Sequence, residues 1–507
     1  MTVAARLLDA LAVGLGAVAL AILVTGGFTV AGVPLDRAED VVVALTILVG
    51  IRAILVKYHL PPVRPLHAVI GGVIAYGVLM SFVVVTRHQA LRTHALDLGY
   101  YVQLVWNISR GHGAYVTLPP MHAWGDHFSP VFYLFAPLGW IVPGASALVV
   151  AQTAILAAGA FAVYQYGWLR LKDDGYAAAL ALLYLVNPSM HGVNIRDIHP
   201  QAFAIALVPA AALAFDRRRY ALCAVALALT LAGREDAAVV GVGFGVWMAV
   251  VRARWAAGAA VAIASVAVLL VDVTFVMPYF RGEPYPHLGR YAWLGGSLSQ
   301  ILFALVLKPW VWLPVAFAPA KLLYLAAMLA PLGFLPLLAP RTLVAVMSPL
   351  AMNLLSIDSV LFHHRTQYQS FVLPFLMLAA VEGCRHLATM APRRKSSVTP
   401  ATALALGFVV SVVLASRTVN DLAVTRWLLN PEHHAAYRLM DQIPEDVPAS
   451  VNERFVPHLA TRREIHIFPA GLPVSEYILD LSTVTPNVPP AYRKVMSEGP
   501  WTLWRRM

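Results

Sequence analysis

The stretch NIRDIHPQAFAIALVPAAALAFDRRRYALCAVALALTLAGREDAAVVGVGFGVWMAVVRAR, residues 194–254, decides the fold. Three apolar runs, 200–215, 220–233 and 236–251, alternate in it with two kinds of charged break. Arg217, Arg218 and Arg219, then Arg252 and Arg254, fall at one set of ends; NIRDIHP (194–200) and GRED (233–236) fall at the other. A run of 14 residues covers about 21 Å as a helix, short of a hydrocarbon core of about 30 Å. Either such helices stop below one membrane surface, or the sequence between them dips into the membrane. Basic loops stay in the cytoplasm, so the shortfall is on the external side, where the acids, arginine and histidine collect.

The rest of the chain extends this pattern. Of 507 residues, 59% are hydrophobic and 12% charged, against about 45–50% and 25% in soluble domains, and the mean hydropathy is +0.70. This excludes a soluble protein and a disordered one. The net charge of +11 fits basic cytoplasmic loops beside anionic lipid, with no nucleic acid as partner. Cys223 and Cys384 lie in apolar stretches and form no metal or redox motif. Spans are expected at 7–32 (a retained helix, too long for a signal peptide), 40–57, 67–86 and 145–169. Short runs follow at 176–188 and in the stretch above, then spans at 256–277, 319–338, 341–357, 370–387 and 400–416. Arg52, Lys57 and Arg64, and later Arg393, Arg394 and Lys395, mark cytoplasmic loops. The expectation is an all-α polytopic membrane protein of about thirteen spans over 1–416, with outer loops 87–130 and 278–318. The second of these includes an interfacial stretch broken at Lys308-Pro309. Residues 417–507 have soluble composition and read as a small external α/β unit, with strand, short helix and two strands over 449–482.

Five external motifs carry candidate chemistry. ALDLGYYVQLVWN (95–107) reads as an amphipathic interfacial helix, with Asp97 as either a general base or an N-cap. GDHFSP (125–130) offers Asp126 and His127, readable as metal ligands, a base or a turn. NIRDIHP supplies Arg196, Asp197 and His199. Arg234, Glu235 and Asp236 interrupt an apolar stretch; charges at that depth line a cavity or pair with one another. Asp272 adds a carboxylate near the outer end of its helix. FHHRTQYQSFVLPF (362–375) supplies His364, Arg365 and Tyr368, and arginine suits a phosphate because it is planar, many-donored and always charged. No nucleotide-binding loop or H-E-x-x-H motif is present. No cofactor is demanded, though a divalent metal is allowed. Asp97, His127, Arg196, Asp197, Arg234, Glu235 and Arg365 are expected to line one outer cleft.

On these motifs, through residues 94–380, the chain resembles a family of prokaryotic polytopic membrane proteins catalogued as a domain of unknown function. The motifs are an Asp-x-Gly opening an outer helix that ends in Trp-Asn, an outer His before Phe-x-Pro, an Asp-x-His-Pro loop, a Glu-Asp pair, and Arg-x-x-Tyr before a final Pro. That family resembles a branch of the GT-C fold of integral-membrane glycosyltransferases, whose relatives include protein mannosyltransferases and aminoarabinose transferases. Two departures stand out. The acidic outer loop follows the third span here and often the first in those relatives, and the second acid beside the first is replaced by Leu98.

The resemblance implies a lipid-phosphate sugar donor, and an external site agrees, since nucleotide sugars are cytosolic. The expectation is then transfer from a polyprenyl-phosphate sugar to a glycan, lipid or protein acceptor outside the prokaryotic cytoplasmic membrane, with inversion at the anomeric carbon. Asp97 is the expected base. Arg365, Arg196 and Arg234, with His364 and Tyr368, are expected at the donor phosphate, and Asp126, His127, Asp197, His199, Glu235, Asp236 and Asp272 in the supporting cavity. Two alternatives stay open: a transporter or flippase for a lipid-linked or anionic substrate, and a non-catalytic scaffold.

Overall fold

The computed structural model describes residues 3–55, 63–394 and 398–507. Lys57 and Lys395, expected in cytoplasmic loops, lie outside the described residues. The chain is a helical bundle capped by a small C-terminal sheet unit. Its surface is strongly apolar, with Ile263, Val306 and Leu323 each more than two-thirds exposed, as a multi-pass membrane protein requires.

Among the described residues, four helices suffice by length and composition to cross a membrane: 6–25, 65–89, 145–171 and 255–281. A fifth span arises if the helices either side of Lys308, which meet at 88°, count as one. The expected thirteen spans are therefore not reproduced on this measure. The difference has a physical origin, since much of the remaining apolar sequence folds as helices of 10–17 residues. The first span also ends earlier than expected, at Thr25, because Gly26 and Gly27 (φ +82° and +123°) turn the chain into the hairpin Phe28–Val30/Val33–Leu35.

The bundle is organised on the helix Ala145–Leu171, which packs against Pro65–Gln89, Asp174–Leu185 and Ala204–Asp216. Small residues allow close approach elsewhere. A Cβ on Gly245 would stand 2.4 Å from the Gly258 carbonyl of the neighbouring helix. The two ends of Ala145–Leu171 carry different chemistry. At its start, Gln152 is buried against Asp197 and His199. Eighteen residues on, about 27 Å along the axis, Arg170 sits 2.6 Å from buried Glu382. Glu382 also meets Arg385 at 2.8 Å and Arg252 at 3.6 Å, and Arg252 pairs with Asp216 at 2.6 Å. This knot clamps the end away from the Asp97 turn.

The C-terminal unit has the sheet order Ile465–Ile467, Ala449–Val451, Tyr477–Leu481, Trp501–Arg506, Tyr492–Glu498. The first three strands are parallel, and the last two form an antiparallel hairpin. It is no loose appendage. One buried apolar cluster runs from Leu98 and Leu104 of the outer helix through Leu148 to Phe455, Val456 and Leu503. Gln103 donates to the Arg463 carbonyl at 2.9 Å, and Thr117 donates to that of Ile465 at 2.6 Å. The outer helix Tyr100–Ser109 is thus buried on nearly every face, rather than lying amphipathically in the interface.

Candidate active site

The helix Pro65–Gln89 ends in Arg87-His88-Gln89, and the chain turns at Leu91 (φ +53°) into a π-turn, Ala95–Gly99, that holds Asp97. The cap of this turn is His94, without a side-chain bond, so the capping alternative for Asp97 does not describe the fold. Its half-buried carboxylate is left for the cleft. His199 Nε2 lies 3.3 Å from Asp97 Oδ1, although its alignment falls short of a hydrogen bond. Burial works against the Asp97 charge, but the adjoining His199, then His94 and Arg196, outweigh it and hold the carboxyl below its ordinary range.

Asp197 builds the turn beneath. It adopts φ +59°, a left-handed conformation that Asp tolerates better than most residues. Its Oδ2 accepts the His94 N–H at 2.9 Å. Gln152 donates to the Asp197 carbonyl and accepts the His199 N–H, both at 2.8 Å. One buried glutamine therefore holds the backbone on either side of Ile198, immediately after the left-handed residue. Burial raises the Asp197 carboxyl more than the His94 N–H lowers it.

Asp97 opens onto a polar cleft of about 730 Å³. Five arginines line it: Arg87, Arg196, Arg365, Arg417 and Arg426, with Glu39 and Asp421 among the acids. Arg365 is fixed from below. A Cβ on Gly192 would lie 2.5 Å from its backbone, and its guanidinium donates to Thr418 at 3.3 Å. His364 is not among the lining residues; it stacks on His363, which is. Beside the cleft lies an apolar cavity of about 320 Å³ lined by Gly72, Tyr76, Val412 and Leu422. The two adjoin, since His191 and Thr418 face the cavity while their neighbours Gly192 and Arg417 face the cleft.

The other expected residues form a second cluster. His127 Nδ1 lies 2.9 Å from Glu235 Oε1, whose carboxylate also accepts the Phe128 N–H and the Tyr285 hydroxyl, each at 3.2 Å. Burial disfavours charge here, yet His127 and Arg234 hold Glu235 well below, and Glu235 holds His127 above, their ordinary values. Arg234 makes a two-point contact with Asp236 and stands over the Tyr368 ring. Asp126, His127 and His287 present possible metal-ligand atoms within 4.8 Å of one another. Asp236, His287 and Arg290 line an apolar groove of about 1000 Å³. Asp272 is buried in a π-turn of the adjacent span, one oxygen unpartnered.

The single expected cleft is therefore two. Asp97, Arg196 and Arg365 share one, with Asp197 and His199 behind Asp97, while His127, Arg234 and Glu235 belong to the other. Segment 365–368 divides them: Arg365 and Gln367 line the cleft, whereas Tyr368 is covered by Arg234 and by Arg290, 5.6 and 5.1 Å from its ring centre. Sequence reasoning missed Arg87, His94, Gln152, His287, Arg290, Arg417, Asp421 and Arg426. The runs RHQALRTH (87–94) and SRTVNDLAVTR (416–426), dense in cations after apolar spans, were the available signal.

Comparison with known proteins agrees with this architecture. Residues 87–488 match the family described as predicted membrane protein, DUF2079. No curated protein matches. Among solved structures the chain is similar to ArnT from Cupriavidus metallidurans bound to undecaprenyl phosphate. That match has 13% identity and a TM-score of 0.50, covering 85% of this chain and 97% of that one. It is similar also to the apo state of the same protein, at 12% identity and TM-score 0.52, covering 86% and 98%. At such identity the likeness is one of fold.

Proposed function

The chain belongs to the DUF2079 family of membrane proteins, and from that premise we propose that it is a GT-C-type glycosyltransferase using a polyprenyl-phosphate sugar. Its site and C-terminal unit face outward from the prokaryotic cytoplasmic membrane. The observation that carries the reading is the juxtaposition in one cleft of a carboxylate held ionised, five arginines and an adjoining apolar cavity. The ArnT-like fold supports it, and the ArnT structure itself holds undecaprenyl phosphate.

In this reading the donor phosphate sits with Arg365, Arg196 and Arg417, and its isoprenoid chain leaves through the apolar cavity. An acceptor hydroxyl attacks the anomeric carbon. As the new C–O bond forms, its proton passes to Asp97, because an alcohol is too weak an acid to ionise first. The bond to the phosphate oxygen breaks on the opposite face, and the arginines take up the charge left on the polyprenyl phosphate. One displacement inverts the anomer. Arg234, assigned to the phosphate on sequence grounds, is committed to Asp236 and Tyr368 in the second cluster and drops out of this role.

The test is Asp97→Asn in purified protein supplied with a polyprenyl-phosphate sugar. Asn keeps the shape but cannot accept the proton, and loss of a general base costs about 10²–10⁴-fold in rate, with donor binding retained. Near-normal transfer by this variant removes Asp97 as the base. Substrate flux in liposomes without transfer by the wild type makes the protein a transporter instead.

A further inference from the structure

We propose that Asp126, His127 and His287 form a binding site for a divalent transition-metal ion of the zinc class, at the polar end of the large apolar groove. The proposal is independent of the glycosyltransferase reading. It starts from two segments 160 residues apart that the fold brings together without help from an ion. The turn Ala123–Gly125 is pressed onto the chain at Arg281, where a Cβ on Gly125 would lie 3.0 Å from the Arg281 backbone. His122 stacks on Phe280 at 3.9 Å. These contacts set Asp126 and His127 opposite the loop that carries His287.

The donor set is suited to zinc: two imidazoles and a carboxylate, leaving one position of a tetrahedral ion for water or another oxygen. The three ligand atoms lie within 4.8 Å of one another, and His287 Nε2 is 3.9 Å from Asp126 Oδ1. Ligands stand about 2.0–2.2 Å from zinc, so the cluster closes by about an ångström on binding. That movement is open to it because the hydrogen bond of His287 to the Asp126 carbonyl is long, 3.2 Å, and its other near neighbours are the His127 and Tyr285 rings and the Asp126 carboxylate itself.

The surroundings match a metal site more closely than a plain ion pair. Ligating histidines characteristically carry a carboxylate on the nitrogen not bound to metal, which fixes tautomer and ring orientation. Glu235 does this for His127 at Nδ1, leaving Nε2 free to ligate. Glu235 is in turn held by the Phe128 N–H and the Tyr285 hydroxyl, so it serves as an orienting group and not a fourth ligand. The His127 and His287 rings stack in nearly parallel planes, centres 4.4 Å apart, so binding requires one ring to tilt until their in-plane lone pairs converge on the ion.

The experiment uses the full chain, purified on a tag without histidines, stripped with chelator, then exposed to zinc or cobalt(II) alone. Wild type should retain one equivalent of zinc by elemental analysis and, with cobalt, develop the intense visible bands of a four-coordinate site. His287→Ala and Asp126→Asn should retain none after the same washing, while exposed His434→Ala keeps the full equivalent. Glu235→Gln should bind about 10–100-fold more weakly, as loss of a supporting carboxylate does. If His287→Ala fails to give a monodisperse protein, the cobalt spectrum of wild type and the titration of Glu235→Gln still decide. Zinc retention no greater in wild type than in His287→Ala, or a cobalt spectrum of the hexaaquo ion only, overturns the site. No sugar donor enters the assay, so its failure and that of the glycosyltransferase reading are separate events.

Discussion

Gly192 lies on the helix Pro188–Ile195 and supports Arg365 by leaving no room between them. In Gly192→Ala the new Cβ would meet the Arg365 Cα, Cβ and carbonyl oxygen, each at 2.5 Å. Ordinary contact begins at 3.4 Å, so the backbone at 365 must withdraw by about 0.9 Å. No flexible side-chain end is available to absorb the change. Overpacking of this kind costs about 1–3 kcal/mol, and a charged group misplaced by about 1 Å can cost about 10²-fold in rate. The variant should therefore stay folded with a lowered Tm, bind the polyprenyl-phosphate donor more weakly, and transfer sugar about 10²-fold more slowly. The assay pairs donor binding by the purified protein with single-turnover transfer. Gly175→Ala is the comparison, since there a Cβ meets only an Asp173 oxygen at 3.3 Å. A well-folded Gly192→Ala with unchanged donor affinity and rate would refute the reasoning that Arg365 is a phosphate contact held by this helix.

Two further outcomes concern the docking of the C-terminal unit. A Cβ on Gly99 would come within 2.8 Å of Val456 Cγ1. Gly99→Ala should lower Tm by an overpacking cost of about 1–3 kcal/mol, and adding Val456→Ala should restore most of the loss; a double variant worse than either single one contradicts the contact. His458 stacks on His88 at 3.9 Å, with Tyr437 edge-on at 5.5 Å. Burial, helped by the His88 neighbour, pushes the His458 imidazole well below 6.5. Undocked, it takes a proton near 6.5; docked, it does not. The undocked state then binds more protons below that pH, so docking weakens as the medium is acidified, by at most about 1.4 kcal/mol per pH unit. Hydrogen exchange across 456–459, corrected for intrinsic rate, should rise between pH 6.5 and 5 and do so less steeply in His458→Gln, where His88 is the imidazole that remains in the stack.

Much of this architecture was legible because composition and charge alternation are strong, one-dimensional signals. The run of strand, short helix and two strands expected over 449–482 appears as Ala449–Val451, Val456–Leu459, Ile465–Ile467 and Tyr477–Leu481. The end of the molecule that gathers Asp97, Arg196 and Arg365 was legible too, since charges in apolar sequence must converge or pair. Tertiary covering was not. The 95–107 helix reads as amphipathic only until Phe455 and Val456 bury its outer face. Gln152 was invisible for a related reason: a glutamine in a 27-residue apolar helix carries no sign of which backbone it will satisfy. His287 needed a contact spanning 160 residues.

The division of the polar residues into two groups follows from the same physics that drew them to one end. A charge at membrane depth must find a partner or water, and the two groups have met this demand differently. Arg234, Asp236, Glu235 and His127 satisfy one another within hydrogen-bonding distance and are mostly buried, so they form a rigid body with little capacity left for an anion. The arginines of the cleft instead face open polar space, and Arg196 is exposed within it. Charge that is already neutralised holds structure; charge left facing a cavity recruits ligand. On that criterion the sequence supplied suitable residue types to both groups. Only the partition at 365–368 determines that Asp97 shares its space with arginines that face the open cleft, and not with the closely ion-paired Arg234.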